Sequence, residues 1–319
     1  MNKDLPISAT TGSKITRSPL VYAGVWFAVI SWGASFVAAR LLLQTDIPGK
    51  AFLSPTVLAA LRLSIASLFF LIPLINAILR REISWRQCLQ MVFLGQVAFA
   101  LYFWLQYVGV QNTNASISSI LVVGLIPVVT AFLAQFFGKE RLSLVRFAAL
   151  LFGFGGVAIV VLQKQLAVSL ASGFLFGALC LVSNAFAFAI YSNLGKRWME
   201  GISPTVMTGG TMLSGAIGLL LLSLTNPTVN RWGEVLRLDM RQWVALLFLA
   251  LVCSVMAYFV YNFALTRIDA SRAAVYIYFE PVVTVLLGVT LLGEVLSWQT
   301  LLGAVIIAIS IAMVNVLRR

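Results

Sequence analysis

The chain has 319 residues, of which 61% are hydrophobic and only 10% are charged, and its formal net charge is +12. A soluble domain carries roughly 25% charged residues, so a soluble core cannot hide this much apolar surface and the surrounding solvent must be lipid. The positive charge does not indicate a nucleic-acid partner, because the basic residues lie in short gaps between apolar runs, where they set membrane orientation.

Apolar runs long enough to cross the hydrocarbon core, which takes about 20 helical residues, recur along almost the whole chain. Residues 1–19 are polar and predict a disordered tail in the cytoplasm. The first apolar run has full spanning length and no convincing cleavage site follows it, so we interpret it as a retained helix. The chain is predicted to be an all-α membrane protein with ten transmembrane helices, near residues 20–43, 54–78, 88–110, 114–137, 145–163, 171–194, 204–224, 242–265, 270–292 and 298–316.

The longest gap, residues 225–240, contains Trp232, Val235 and Leu236 among arginine and aspartate residues. This mixture is typical of a short amphipathic helix lying along the outer interface. A simple solvated loop is the equal alternative.

The number of basic residues is high and low in alternate gaps between the predicted spans. Fifteen of the 22 lysine and arginine residues lie in one set of alternate gaps and the two terminal segments, and six lie in the other set, with Arg62 inside a span. Because cytoplasmic loops carry the excess of positive charge, the first set and both termini are predicted to be cytoplasmic.

A 17-residue segment occurs twice, 154 positions apart and without a gap. Residues 127–143 read PVVTAFLAQFFGKERLS and residues 281–297 read PVVTVLLGVTLLGEVLS, with eight identical positions. Each half then has five spans, and an odd number forces the second half to enter the membrane from the opposite face. The pattern predicts an inverted 5+5 repeat, with a first repeat over 20–163 and a second over 171–316.

Three further motifs occur in these spans: Ser31-Trp32-Gly33, Ala59-Ala60-Leu61-Arg62 and Phe279-Glu280-Pro281-Val282. Together with the duplication, they resemble the EamA family of the drug/metabolite transporter superfamily over about 20–316. The resemblance implies a secondary transporter of the bacterial inner membrane, an exporter of amino acids or related metabolites that binds its substrate in a central cavity and opens to each side in turn. The superfamily also includes sugar-phosphate and nucleotide-sugar carriers, so such an exchanger is the alternative.

Glu280 is the most pointed candidate for binding or coupling. It falls near the middle of the predicted ninth span, directly before Pro281. A carboxylate at that depth is costly unless it faces a cavity or a partner, so it is a candidate to bind a substrate ammonium or exchange a proton. The open alternative is a neutral glutamate that is hydrogen-bonded to backbone freed by the proline. The equivalent position in the first repeat is Ile126, so the duplicated scaffold does not require the charge.

Arg62 is the only basic residue well inside a predicted span. It is a candidate to pair with a substrate carboxylate or with Glu280. The alternatives are an arginine that snorkels to the interface or caps a helix end. A multiply anionic substrate calls for several buried cations, so the scarcity of such residues disfavours a phosphate carrier.

Amide and aromatic side chains recur on single faces of the predicted helices. In lipid such groups seek protein or water, so these faces are predicted to line a cavity that suits a small amphipathic zwitterion. Packing, or anchoring at the interface, is the alternative for each residue. The residues are Gln96, Phe99, Phe103 and Gln106 on the third span, Asn184 and Tyr191 on the sixth, Ser254, Tyr258, Tyr261 and Asn262 on the eighth, and Trp32, Asn114 and Tyr276 elsewhere.

Two matched pairs come from the repeat. Glu140 and Glu294 lie at span ends and are predicted to bind backbone groups or the N-terminal helix end of the next span. Pro127 and Pro281 lie mid-span, where each removes a backbone hydrogen bond and predicts either a hinge or a static bend.

The sequence lacks the residues and motifs that other classes of function require. The chain has no histidine, no CxxC and no P-loop, and Cys88, Cys180 and Cys253 are far apart. We therefore predict no catalytic residues, no metal, no cofactor and no enzymatic activity. A receptor or scaffold is disfavoured by the inverted repeat and by Glu280. The predicted partners are a small amino-acid-like substrate, the lipid bilayer and, as candidate coupling ion, the proton; the substrate's identity, the direction of transport and the oligomeric state stay open.

Overall fold

The structure is a computed structural model that describes residues 19–44, 51–137, 144–161, 173–198, 201–226, 228–265, 267 and 276–316. The regular structure in these ranges is helical. We number the helices α1 Pro19–Leu43, α2 Pro55–Leu68, α3 Leu71–Leu79, α4 Trp85–Asn112, α5 Ala115–Phe137, α6 Leu144–Val161, α7 Phe174–Trp198, α8 Pro204–Leu224, α9 240–265, α10 Glu280–Leu292 and α11 Trp298–Val316.

Each of the ten predicted spans contains helix. Five helices, α1, α4, α7, α8 and α9, are long and apolar enough to cross a membrane by length and composition. A sixth span is obtained if α2 and α3, which meet at an angle of 60°, form one broken crossing. In the other four helices only shorter apolar stretches, Ala115–Thr130, Leu151–Val160, Glu280–Leu292 and Trp298–Ser310, are found within the described residues, so ten crossings remain a prediction.

Polar residues at the membrane surface start several helices. Ser54 accepts a hydrogen bond from the Val57 amide at 3.3 Å, and Pro55 follows in the first turn, where its missing N–H leaves no bond unmade. Ser84 with Gln87 and Asp239 with Gln242 form reciprocal capping boxes at the starts of α4 and α9. These caps fix where the chain enters the apolar region.

The long loop before α9 contains a 3₁₀ helix, Trp232–Arg237, and not a longer amphipathic α-helix. The Trp232 indole donates a hydrogen bond to Ser223 Oγ at 3.2 Å, while Leu236 is 87% exposed. The loop is therefore anchored to the end of α8 through its tryptophan.

The two halves of the chain contact each other in matched pairs. Helix α1 packs on α9 and α10, and its counterpart α7 packs on α4 and α5. Likewise α2 packs on α9, and α8 packs on α4. Three further contacts, α2 with α8, α5 with α10 and α6 with α11, each join a helix to the equivalent helix of the other half. Such a pattern is what a two-fold relation between repeated halves produces.

Each half also carries a π-helical segment at the same repeat position. Residues Gln96–Leu101 of α4 and Phe248–Met256 of α9 are π-helical. Moving the first segment by the 154-residue repeat gives 250–255, which lies inside the second. A π-helical turn accommodates an extra residue and re-aims the side chains after it, and such segments are frequent at functional sites.

The predicted ninth span is broken at Glu280, which starts α10. Residues 276–277 are helical and a turn follows at 278–279. Pro281 thus lies in the first turn of a helix, where proline is favoured and no backbone hydrogen bond is lost. This corrects the prediction that both prolines remove a bond mid-span, because only Pro127 lies within a continuous helix, α5.

Gly33 allows α1 to approach α10 directly at Glu280. A Cβ at Gly33 would lie 2.8 Å from the Glu280 carbonyl oxygen and 2.8 Å from Val283 Cβ. The Thr284 hydroxyl donates to the Gly33 carbonyl at 2.7 Å, which joins the same two helices. The contact therefore has no room for a side chain on α1.

Substituting Gly33→Ala is expected to destabilise the protein by about 1–3 kcal/mol, because the obstructing atom is backbone and the helices must separate. Thermal unfolding in detergent measures this effect. Gly155→Ala on α6 is the matched control, since no atom lies within 4 Å of a Cβ there. Equal unfolding temperatures for the two variants would show that α1 and α10 are not in tight contact at Gly33.

Candidate functional site

Arg62 lies at the centre of the bundle and is only 2% exposed, so it does not snorkel to an interface. Its Nε donates a hydrogen bond to Ser254 Oγ at 2.8 Å, and Nη1 donates to the Tyr107 hydroxyl at 2.8 Å. Its guanidinium carbon also lies 4.4 Å from the centroid of the Phe103 ring, a cation–π contact. All three partners are neutral, so the described residues orient the buried positive charge but do not neutralise it.

Aromatic rings continue outward from this arginine. Phe99 contacts Phe103 at a centroid distance of 6.1 Å and Tyr258 at 6.3 Å. Trp32 contacts Tyr258 at 5.3 Å and Tyr261 at 5.1 Å, both with edge-on geometry. The rings therefore form one connected group between helices of both halves. The central cluster is Trp32, Arg62, Phe99, Phe103, Tyr107, Tyr258 and Tyr261.

The rings in the cluster differ in exposure. Phe99, Phe103 and Tyr107 are buried, whereas Trp32, Tyr258 and Tyr261 keep partial exposure. Tyr258 lies deep in the bundle and close enough to both Arg62 and Glu280 to interact with their charges. These three partly exposed rings are therefore the part of the cluster that another molecule can contact.

Glu280 lies beside this cluster at the start of α10. It is 7% exposed, and its carboxyl lies within electrostatic range of Tyr258 and Tyr261. None of the described residues donates a hydrogen bond to that carboxyl, and Arg62 does not pair with it. The structure therefore places a buried guanidinium and a buried carboxyl beside the same central cluster without joining them.

Two amides border the cluster from α4 and α7. Asn184 is fully buried and its Nδ2 donates to the Tyr102 carbonyl at 2.6 Å. That bond fixes the orientation of the amide, and Asn184 Oδ1 then has no donor among the described residues. Gln106 Oε1 is also buried and lacks a described donor. Both atoms are therefore buried acceptors without a donor among the described residues.

The structure places two of the predicted site residues away from the central cluster. Gln96 Nε2 donates to the Ser214 carbonyl at 2.7 Å, so this amide joins α4 to α8 as a packing contact. Tyr276 contacts Trp26 at 5.2 Å on the α1 side. The expected stripe of Tyr276 and Glu280 does not form, because the turn at residues 278–279 interrupts the helix between them. Asn262 lies in α9, and its side chain is outside what the structure describes.

The two repeat-related glutamates have different outcomes. Glu294 Oε1 accepts a hydrogen bond from the Ala115 amide at 2.7 Å, and Oε2 accepts from the Ser116 amide at 3.0 Å. Glu294 therefore binds the N-terminal end of α5, a helix of the opposite half. The prediction that it binds the next span is wrong, because the close packing of the two halves brings the start of α5 to Glu294. Glu140 lies outside the described residues.

Sequence reasoning missed Tyr107 and the ring of Phe188. Tyr107 follows Phe103 by four residues, so extending the stripe on the third span by one turn would have included it. Phe188 contacts Tyr102 at 5.8 Å and Tyr191 at 6.1 Å, on the α7 side of the cluster. Its position four residues after Asn184 is the only sequence signal for it.

Among the described residues, no group of three or more cysteine, aspartate or glutamate side chains could hold a metal ion. The central cluster contributes one guanidinium and several aromatic rings, and the residues beside it contribute one carboxyl and two amide oxygens, all of which are groups that bind small organic molecules.

Comparisons with known proteins agree with this architecture. The chain is 26% identical to an "uncharacterized transporter" of Archaeoglobus fulgidus, over 90% of this chain and 95% of the relative. It is also 26% identical to the "uncharacterized transporter YyaM" of Bacillus subtilis, over 82% and 84% of the two chains. A solved crystal structure superimposes with a TM-score of 0.60 at 20% identity and covers 95% of this chain and all of that one, which shows a shared fold.

The family model described as the EamA-like transporter family matches the chain twice, over residues 20–162 and 175–316. The two matches together cover most of the sequence and coincide with the halves whose contacts are paired in the structure. The chain belongs to the EamA-like transporter family.

Proposed function

We propose that this membrane transporter carries a small amino-acid-like metabolite and exposes it to each side of the membrane in turn, by rocking two inverted halves around the central cluster. The observation that carries the proposal is the presence of Arg62 and Glu280 beside the same rings, each buried and neither neutralised by a described residue. A buried charge is stable only when it is paired, so the site is complementary to a ligand that brings both signs.

A zwitterion satisfies both charges at once. Its carboxylate fits the guanidinium of Arg62, which two neutral hydroxyls hold in position, and its ammonium fits the carboxyl of Glu280. The partly exposed rings of Trp32, Tyr258 and Tyr261 then contact the apolar part of the substrate.

Arg62 is the only buried basic residue in the described part of the chain, which disfavours the alternative of a sugar-phosphate or nucleotide-sugar exchanger.

The orientation in the membrane completes the proposal. The lysine and arginine distribution supports cytoplasmic termini, and five spans in each half, 20–163 and 171–316, then give opposite orientations. The resemblance to amino-acid exporters of the bacterial inner membrane supports export. Residues 278–281, where the turn meets α10, and Pro127 within α5 are the candidate hinges.

The test is substrate transport by purified protein in proteoliposomes, with labelled amino acids, sugar phosphates and nucleotide sugars as candidates. We expect accumulation of one or more amino acids. Transport of a phosphorylated substrate would instead favour the exchanger, and absence of any transport with specific binding would favour a receptor.

Glu280→Gln is expected to lower kcat/KM for transport by about tenfold or more, because the amide keeps the size of the side chain but loses the charge that matches the ammonium. If the carboxyl also exchanges a proton, the pH dependence of transport is lost in the same variant. Glu82→Gln is the matched control, since Glu82 is exposed in the loop before α4. Unchanged transport and unchanged pH dependence in Glu280→Gln would remove Glu280 from the site.

A further inference from the structure

Glu294 connects the two halves of the protein at one end of the bundle. Its carboxylate accepts three hydrogen bonds from the first turn of α5: Ala115 N at 2.7 Å, Ser116 N at 3.0 Å and Ser116 Oγ at 2.5 Å. Asn114 Oδ1 accepts a fourth, from Ile117 N at 2.8 Å. The free amides that begin a helix are thus satisfied partly by the local sequence and partly by the opposite half.

The chain around Glu294 is built to present this carboxylate. Gly293 has φ +66°, the left-handed conformation that ends α10, and the Glu294 amide then donates back to the Gly288 carbonyl at 3.1 Å. Gly288 leaves the space in which the two halves meet. A Cβ there would lie 2.7 Å from Glu294 Oε2 and 2.8 Å from Ser116 Oγ.

Two other side-chain hydrogen bonds join the halves at the same end. Ser54 Oγ donates to Asn230 Oδ1 at 2.9 Å, and Gln242 Nε2 donates to the Ala51 carbonyl at 2.7 Å. Together with Glu294 they close the end of the bundle that the charge distribution assigns to the outer side. Of these three contacts, only the one made by Glu294 involves an acidic side chain, which lies at the positive end of the α5 dipole.

We propose that Glu294 is a positioning residue, a latch that holds the outer end closed in this state and releases α5 when that end opens. This inference rests on the alternating opening proposed above, and it goes beyond a static helix cap. Release is feasible because Glu294 is partly exposed at the predicted outer end of its span, where water can replace the bonds that its carboxylate loses. The same contact at mid-membrane would have no such replacement.

The native thiol of Cys253 reports opening. It is fully buried and donates to the Ser31 carbonyl at 3.1 Å, beside Trp32 of the central cluster. In a Cys88→Ser, Cys180→Ser background, a membrane-impermeant maleimide applied from the side that carries Glu294 reaches this thiol only when that side opens. The assay needs no substrate, so its failure and the failure of the proposed substrate class are distinguishable.

Glu294→Gln is expected to increase the rate of Cys253 labelling from that side by about tenfold. The reason is that losing the charge-assisted hydrogen bonds shifts the equilibrium between the closed and the open outer end by about this factor. Ser116→Ala removes one of the three bonds and keeps the charge, so a smaller increase is expected in a variant that is less disturbed in folding. Glu234→Gln is the matched control, because Glu234 lies in the loop at the same end and pairs with Arg237.

A static cap gives a different result. If Glu294→Gln and Ser116→Ala lower the unfolding temperature but leave the labelling rate from both sides unchanged, Glu294 only stabilises α5 and the latch is overturned. If the rate of Cys253 labelling increases with the number of hydrogen bonds removed, the latch role of Glu294 is supported. This conclusion holds even if the transported substrate is not an amino acid.

Discussion

Replacing Arg62 with glutamine is expected to lower kcat/KM for transport by about 100-fold, a loss of about 3 kcal/mol that is typical when one member of a desolvated charge pair is removed. The expected cause is loss of the only buried cation that the described interior offers to a substrate carboxylate. Thermal shift measures the same effect in binding: stabilisation by substrate disappears, because a ligand stabilises a protein only as far as it binds the native form.

The matched variants separate charge from packing. Ser254→Ala removes one hydrogen bond to Arg62 but leaves the guanidinium in place, so a loss of only severalfold is expected. Arg62→Lys keeps the charge but cannot make both the Ser254 and Tyr107 bonds, and it is expected to be intermediate. If Ser254→Ala is as defective as Arg62→Gln, Arg62 acts in positioning α9 and not in binding substrate.

Much of the fold was accessible from the sequence because the bilayer imposes simple rules. The apolar runs predicted ten segments, and each contains helix in the described residues. The repeated PVVT segment predicted two related halves, which the twofold family match supports. Neither inference needed side-chain geometry, since length, hydropathy and duplication suffice.

The central cluster was only partly accessible. Arg62, Phe99, Trp32, Tyr258 and Tyr261 were identified because buried charges and polar aromatic stripes are rare in lipid-facing helices. The partners of Arg62 were not identified, because Tyr107 and Ser254 lie on two other helices. A local sequence pattern does not predict how packed helices are aligned with each other. The contact of Glu294 with α5 was foreseen as a helix-end interaction, but the helix it reaches could not be.

Two errors share one cause, a departure from regular α-helix. The i, i+4 relation of Tyr276 and Glu280 assumed an unbroken helix, and the turn at residues 278–279 sends Tyr276 to Trp26 instead. The stripe on the third span assumed 100° per residue from Gln96 onward. A π-helical segment begins at Gln96, so the residues after it are re-aimed while Gln96 itself contacts α8. Propensity gives no warning of such segments.

Deleting Ala98 from the π-helical segment of α4 is expected to reduce transport to background. Removing one residue allows the segment to return to α-helix, which rotates everything after it by about 100° and shifts it by about 1.5 Å. Phe103 and Tyr107 then leave Arg62, and the cation loses both its hydroxyl acceptor and its ring. Deleting Val252, the repeat-equivalent residue of α9, is expected to have the same outcome, because it displaces Ser254 and Tyr258.

Substitution at the same sites separates chain length from side-chain loss. Ala98→Gly and Val252→Ala keep the extra residue of each π-helical turn and are expected to retain at least half of wild-type transport, measured on monodisperse protein in proteoliposomes. The two deletions should also abolish substrate-dependent thermal stabilisation, since Arg62 remains in the chain but loses side chains that orient its guanidinium. A deletion variant that folds and transports at the wild-type rate would show that α4 and α9 align the cluster without their π-helical turns.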